Sequence, residues 1–301
     1  MTDAEPGWEL YRSFLGVLKE GSLSGAARSL GLTQPTVGRH VEALEQALGL
    51  SLFTRSQLGL APTEAARALA PYAETLAATA AALLRVAQSQ GDGVRGTVRI
   101  TASEVIGVEV LPPILAALRA EHPGLRIELA LTNRVEDLLK READIAVRMV
   151  RPSQDVLLAR RVGTIELGLH AHEDYLGRHG TPRSFAELMS GHAIIGFDRE
   201  TAFLRGLRKE LGPLRRDAFA LRADSDLAQL AAIRAGYGIG ICQVGLARRD
   251  ARLVRVLPKA LSLPLDTWVA MHMDLRDSPR CRVAFEAVAE GLGRYIEGQA
   301  S

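Results

Sequence analysis

Tyr11, Phe14, Leu15 and Leu18 recur at helical spacing, so the chain is expected to open with an amphipathic helix over Trp8 to Glu20 that stops at Gly21. A second, shorter helix is predicted from about Ser24, its candidate N-cap, through Ala26, Ala27 and Leu30 to Gly31, where the missing side chain permits a left-handed stop. The turn that follows is only Gly31, Leu32 and Thr33. Thr33 caps a predicted third helix, whose first turn tolerates Pro35 because the lost N–H has no intrahelical partner there. Val37, Val41, Leu44 and Leu48 form its apolar stripe. Two helices joined by a short glycine-containing turn, with small alanines where they cross, match a helix-turn-helix. A small helical bundle with no DNA role is the competing reading.

After Gly49, the run LSLFTRSQLGLAP places two short apolar pieces around Arg55 to Gly59, which predicts a hairpin, or wing, against the third helix. Thr63 then caps a long helix, TEAARALAPYAETLAATAAALLRVAQSQ, in which Leu69, Leu76 and Leu83 repeat with heptad spacing and Tyr72, Thr79 and Val86 lie between. Pro71 is a candidate kink. One apolar seam on a helix outside a compact domain predicts pairing with a second copy, with an intramolecular contact as the alternative. GDGVRG closes the linker.

From Thr97 the pattern changes to alternating strands and helices: TVRIT, a helical stretch to Glu121, LRIELAL, the helix RVEDLLKRE, then DIAVRM. This predicts an α/β domain with a largely parallel sheet. Further units are expected around ELGLHA, HAIIGF, AFALRA, GIGICQ and TWVAMH, with a last helix from about Pro279 to Ile296. The expected division is 1–62 for the winged helix-turn-helix, 63–92 for the linker and dimerisation helix, and 93–301 for the α/β part.

Composition adds bounds. With 301 residues, 47% hydrophobic and 24% charged, the chain is expected to be globular and to hold more than one domain. The start MTDAEPG is acidic and lacks an apolar core, and no stretch is apolar enough to span a bilayer, so a soluble cytoplasmic protein without membrane contact is expected. Cys242 and Cys281 lie far apart, and Cys242 sits in the apolar run GIGICQ, which favours buried thiols over a disulfide framework or metal quartet. A redox role for either is a minor alternative. The net charge is only +2. In the first sixty residues Arg12, Lys19, Arg28, Arg39 and Arg55 are offset by Asp3, Glu5, Glu9, Glu20, Glu42 and Glu45, so DNA binding is read from pattern and placement alone.

The segment from Phe14 to the start of the long helix resembles the DNA-binding end of LysR-type transcriptional regulators. The resemblance is carried by Phe14, Gly21-Ser22, Ala26-Ala27, Leu30, Gln34-Pro35, Val37, Leu44-Glu45, Leu48-Gly49, Leu52-Phe53, Arg55 and Thr63. Downstream, GTVRITAS, the Pro123 turn, ADIAVR and AIRAGYGIGIC look like the family's effector-binding domain. Two features depart from the family pattern: Gly38 stands where Ser is common, and the linker helix opens TEAA in place of an Ala-Gly pair.

The resemblance implies that the third helix enters the major groove, with Gln34, Thr36 and Arg39 toward base edges and Pro35 in the same first turn. Gln suits an adenine edge in two places and Arg a guanine edge. Arg55 would reach phosphate or the minor groove, and Ser22 could hold a phosphate. His40 reads equally as a solvated flank residue or a DNA contact. So few cations per domain imply weak binding by one copy, so a homodimer or homotetramer is expected on double-stranded operator DNA, with RNA polymerase a further candidate partner.

For the second part the resemblance implies two α/β subdomains hinged by two crossing strands, like a periplasmic binding protein, with a small-molecule effector between them. Thr101, Ser103, Thr132, Asn133, Arg148, Phe197 and Ser225 are the candidate effector contacts, each of which reads equally as a cap or turn residue. Asp224, Ser225 and Asp226 mark a helix start, where acidic groups also simply cap their own helix. Facing the cleft, they would disfavour a plain dianion and favour a polar or partly cationic ligand. No cofactor is expected.

An enzyme is the main alternative from another class, but the glycines of GYGIG follow a helix and precede a strand, the reverse of a phosphate cradle. His170 and His172, beside Glu173 and Asp174, form only a weak metal signal. A solute-binding protein would share the second part but would need an export signal in place of the first ninety residues.

Overall fold

The computed structural model describes residues 5–56, 59–87, 94–133, 143–152 and 157–300. The first helices, α1 (Trp8–Glu20), α2 (Leu23–Leu30) and α3 (Gln34–Leu48), each stop at a glycine in the left-handed region, as the sequence predicts. One cap differs. Ser22, not Ser24, is the N-cap of α2, because its extended backbone lets its hydroxyl accept the Gly25 N–H at 3.1 Å. Phe14, Leu44 and Leu52 are fully buried with Ala66 and Ala73, and Val17, Ala26, Ala27, Val37 and Val41 form an adjoining cluster. The alanines let α1, α2 and α3 approach closely.

The wing is an antiparallel pair, β1 (Phe53–Ser56) and β2 (Gly59–Pro62), in which Arg55 lies opposite Leu60. Two contacts anchor it. The Glu45 carboxylate on α3 accepts the backbone N–H of Leu52 at 2.5 Å and of Phe53 at 3.2 Å, and the Leu60 N–H donates to the Gly21 carbonyl at 2.8 Å. Only glycine fits at residue 59, where φ is +122° and a Cβ would stand 2.6 Å from that carbonyl oxygen.

Thr63 caps α4 (Glu64–Ala87), accepting the Ala66 N–H at 3.2 Å and donating to the Ser51 carbonyl at 2.8 Å. The helix continues through Pro71 as one element. Its Ala66 and Ala73 are buried against α1, with Leu69 packed beside them, whereas Tyr72, Leu76 and Leu83 are exposed. The heptad seam is therefore spent inside the unit at its start and uncovered afterwards. The Val86 side chain lies outside the described residues.

Gly38 sits inside α3, where an added Cβ would meet only Leu23 Cδ1, at an ordinary 3.7 Å. Gly38→Ala should therefore stabilise this unit by about 0.5–1 kcal/mol through lower backbone entropy in the unfolded chain. Urea denaturation followed by circular dichroism checks it, and a lower midpoint would mean that α3 needs the glycine.

The described residues of the second compact unit begin at Val94. Its first half holds β3 (Gly96–Ala102), a π-helical turn (Ile106–Val110) running into α5 (Leu111–Glu121), β4 (Leu125–Leu131) and β5 (Ile145–Arg148). β6 (Leu157–His172) leads to the second half, with α6 (Glu173–His179), α7 (Phe185–Gly191), β7 (Ile195–Gly196), α8 (Ala202–Gly206), α9 (Arg208–Leu211), β8 (Leu221–Arg222), α10 (Asp226–Arg234), β9 (Gly240–Gln243), α11 (Val244–Ala247) and β10 (Leu253–Val256). β11 (Leu263–His272) returns, and α12 (Pro279–Ala300) packs on the first half. The helix expected at RVEDLLKRE lies outside the described residues.

Seven strands form one sheet in the order β10-β6-β11-β5-β3-β4, with β9 also on β6. It is mixed, not largely parallel. β3 pairs parallel with β4 and β5, but β6 and β11 pair antiparallel from Leu263↔Leu167 to His272↔Leu157, and β5, β9 and β10 pair antiparallel with them. The reason is length: ELGLHA and TWVAMH are the ends of two long strands that cross between separate cores, one around Val98, Ile145 and Phe285 and the other around Leu169, Leu188 and Phe219. A register shift interrupts the crossing pair between Thr267 and Trp268.

Candidate functional site

The apolar stripe of α3 turns Val37, Val41 and Leu44 inward, which leaves Gln34, Pro35 and Arg39 exposed near its start. Thr33 caps the helix by accepting the Thr36 N–H at 3.3 Å, and the two threonine hydroxyls are 2.8 Å apart, so Thr36 is half-buried and already partnered. Gln34 also has a partner: the Ser24 hydroxyl on α2 donates to its Oε1 at 3.1 Å. Ser22 spends an acceptor on its own helix and keeps a donor hydrogen. Arg55 is exposed on the wing. His40 is half-buried, and its Nδ1 lies 2.8 Å from the hydroxyl of fully buried Ser13, which ties α3 to α1. Helix periodicity assigns His40 to a flank, but it cannot reveal a polar partner on the facing helix.

Beside this surface, Tyr11, Phe14, Leu44, Leu69, Tyr72, Ala73 and Leu76 line an apolar pocket of about 170 Å³ between α1, α3 and α4. Tyr72 is 74% exposed, and Leu83 and Leu84 are each 64% exposed farther along α4. Such a run of large apolar side chains in water marks an interaction face.

In the second unit the predicted contacts separate into three places. Thr101 and Arg148 are buried together at the ends of β3 and β5, with Arg148 donating to the Thr101 hydroxyl and the Val147 carbonyl, each at 2.9 Å. Asn133 and Ser225 meet where the two halves join. There Asn133 Oδ1 accepts the Glu104 N–H at 3.2 Å, Asn133 Nδ2 donates to Asp226 at 3.0 Å, and the Ser225 hydroxyl donates to Glu104 at 2.8 Å while capping α10. Ser103 and Thr132 flank this group, Ser103 half-buried and Thr132 bonded through its N–H to the Ala102 carbonyl at 2.9 Å. Phe197 packs edge-on against Phe219 with ring centroids 5.0 Å apart and lines a surface groove with Leu204, Arg208 and Leu214.

Glu104 and the bidentate Glu109–Arg234 pair, at 2.5 and 3.1 Å, were not legible as site residues. Glu104 follows directly on the GTVRITAS motif, but a lone glutamate at a helix start reads as a cap. Glu109 and Arg234 are far apart in sequence, and only the π-helical turn brings that carboxylate to α10. The Arg234 guanidinium bonded to Glu109 holds this carboxyl below its usual range.

Asp226 keeps contact with solvent, yet loss of hydration at the junction pushes its carboxyl up to about 6; the Glu104 charge adds to the rise and the Asn133 hydrogen bond opposes it. A carboxyl whose pKa is raised in the folded state contributes stability that is full below its unfolded value near 4 and is lost as pH rises through about 6. Asp226→Asn should therefore stabilise the second unit at pH 7.5 by about 1 kcal/mol after solvent screening, with the gain fading toward pH 4.5. Thermal unfolding across that range checks it; a gain independent of pH would contradict the assignment.

Cys242 and Cys281 are both buried, and burial pushes the Cys242 thiol up to about 12, away from redox reactivity. His170 points at the Gly168 carbonyl, 2.9 Å away, with burial lowering it to about 4, and His172 caps α6. Each ring nitrogen so placed serves a local structural contact.

Residues 8–67 match the family described as bacterial regulatory helix-turn-helix protein, lysR family, and residues 91–293 match the LysR substrate binding domain. The chain belongs to the LysR-type transcriptional regulators. Among its relatives, an HTH-type transcriptional regulator of Xanthomonas campestris is 31% identical over 169 residues, 56% of this chain and 49% of that protein. The aligned region thus spans about half of that relative's length. The structure of CrgA, a LysR-type regulator from Neisseria meningitidis, matches with a TM-score of 0.59 at 24% identity, covering 96% of this chain and 100% of CrgA. Full-length CbnR, complexed with its target DNA, matches with a TM-score of 0.63 at 21% identity over 95% of this chain and 99% of CbnR. At such identities the two structures establish the fold. Among the described residues, no helix is long and apolar enough to cross a membrane.

Proposed function

We propose that this LysR-type chain binds operator DNA through α3 and the wing, as a homodimer or homotetramer joined through α4, and that a small molecule bound between the halves of its second unit modulates that binding. On this reading 1–62 contacts DNA, 63–92 pairs the copies and 93–301 takes the effector, in the cytoplasm and without enzymatic chemistry. RNA polymerase is the partner through which the bound regulator would act. The observation that carries the reading is the exposed N-terminal part of α3, with Gln34, Pro35 and Arg39 outward over its first two turns while the stripe behind them is buried. CbnR's complex with its target DNA supports it by fold.

Ser22 and Arg55 would hold phosphates on either side of α3, and Thr36, tied to Thr33, would act by fixing the turn more than by reading a base. Thr101, Ser103, Thr132, Asn133, Arg148 and Ser225 would line the proposed effector site, whereas Phe197 lines a separate surface groove with Leu204, Arg208 and Leu214 and would meet an effector only from there. Glu104 and Asp226 on facing sides disfavour a dianion and favour a polar or partly cationic effector. A thermal-shift screen in which only simple carboxylates stabilise the protein would count against that class. For the DNA reading, titration of the chain's own promoter fragment should give binding that weakens steeply with salt. Absence of binding to any genomic fragment by the oligomeric protein would sink it.

A further inference from the structure

We infer that Ser24 is a positioning residue that sets which base Gln34 reads. The inference rests on the proposed entry of α3 into the major groove. A glutamine amide carries a carbonyl acceptor at one end and a two-hydrogen donor at the other. Two-point recognition of adenine uses both ends at once, Oε1 accepting from N6 and Nε2 donating to N7. Here the Ser24 hydroxyl, on the neighbouring helix, donates to Gln34 Oε1 at 3.1 Å. That bond takes up a lone pair of Oε1 and turns the carbonyl end toward α2, so the amide presents its NH2 end outward.

Ser24 is held firmly enough to act this way. It lies inside α2, two residues beyond the Ser22 cap, and α2 is fixed by buried Gly25, Ala26 and Ala27. Gln34 occupies the first position of α3, immediately after the Thr33 cap, so its backbone is equally fixed. Both side chains are exposed, and the Ser24 contact spans two helices of the same reading head. An amide presented by its donor end matches an acceptor edge, guanine O6 and N7 or thymine O4, in preference to the two-point adenine edge. Operator preference at one base is thus set by a residue that itself need not touch DNA.

The test is selection from a randomised operator library with the full-length protein, its S24A, S24T and Q34A variants, and sequencing of the bound fraction. Q34A should erase preference at one position of the site. S24A should shift preference at that same position from guanine or thymine toward adenine, by about tenfold in relative enrichment, because the freed amide can turn. S24T keeps a hydroxyl and should restore the wild-type preference. An S24A pattern identical to wild type, or a loss spread evenly over all sequences, overturns the positioning role. A Q34A pattern unchanged at every position would instead overturn the reading of α3 as the base-contacting helix, and the Ser24 inference with it.

Discussion

Substituting Leu76 and Leu83 together by glutamate is expected to yield monomers and to weaken operator binding by about 100-fold or more. Both side chains are exposed on α4, 47% and 64%, and lie outside the buried cluster around Phe14 and Leu44, Leu76 standing at the rim of the neighbouring pocket, so the change places charge on the face proposed to pair. The loss arises from connectivity. Each DNA-binding unit has few outward cations, with Arg39 and Arg55 the ones placed at α3 and the wing, so one unit gains little from counterion release. Holding two units together makes the second contact intramolecular, which is worth roughly 10²–10⁴ in apparent affinity. Light scattering should report the mass of a single chain, with helicity by circular dichroism retained. A variant that stays oligomeric and binds normally would place the pairing surface elsewhere.

Glu45→Ala should cost the first unit about 3 kcal/mol and detach the wing. The carboxylate accepts two backbone N–H groups, those of Leu52 and Phe53, at the point where the chain leaves α3 for β1. Hydrogen bonds to a charged acceptor contribute about 1.5–3 kcal/mol each, and Leu52, fully buried, has no water to replace the lost one. Glu45→Gln keeps an acceptor oxygen and should fall between wild type and alanine. The checks are urea denaturation and hydrogen exchange at the Leu52 and Phe53 amides, which should lose protection first. A change below about 0.5 kcal/mol would mean that the Gly21–Leu60 contact alone holds the wing.

Elements set by local rules were legible in the sequence. α1 and α3 fall within the predicted bounds because Gly21, Gly49 and Thr33 act within a few residues of themselves. The cap of α2 is not fixed by local rules, since Ser22 and Ser24 are both acceptable locally and only the hydroxyl–Gly25 geometry decides between them. The sense of the sheet is not legible, because strand periodicity records which side of a residue is buried, not the direction of its neighbour. Only the apolar end of β6 is legible: the Leu157 to Thr164 portion, with Arg160 and Arg161, lacks the run that marks a buried strand.

The site divides along the same line. Exposed Gln34, Pro35, Arg39 and Arg55 follow from helix faces and the wing turn, so sequence reading reached them. Their modifiers did not: Ser24 on Gln34, Ser13 on His40 and Glu45 on the wing are contacts between elements. In the second unit Asn133 and Ser225 are legible only separately, from their positions after a strand and before a helix. Their connection through Glu104 and Asp226 exists only once β3, β4 and α10 are assembled.

The central claim, that α3 reads DNA, is tested most directly by capturing genomic DNA fragments on the purified full-length protein and on its Arg39→Ala variant, followed by sequencing. The expected result is a small set of fragments sharing one motif with the wild-type protein, and loss of preference at a single base pair, worth about 1–3 kcal/mol, with Arg39→Ala. Fragments without a common motif, or the same motif undiminished in the variant, would contradict it.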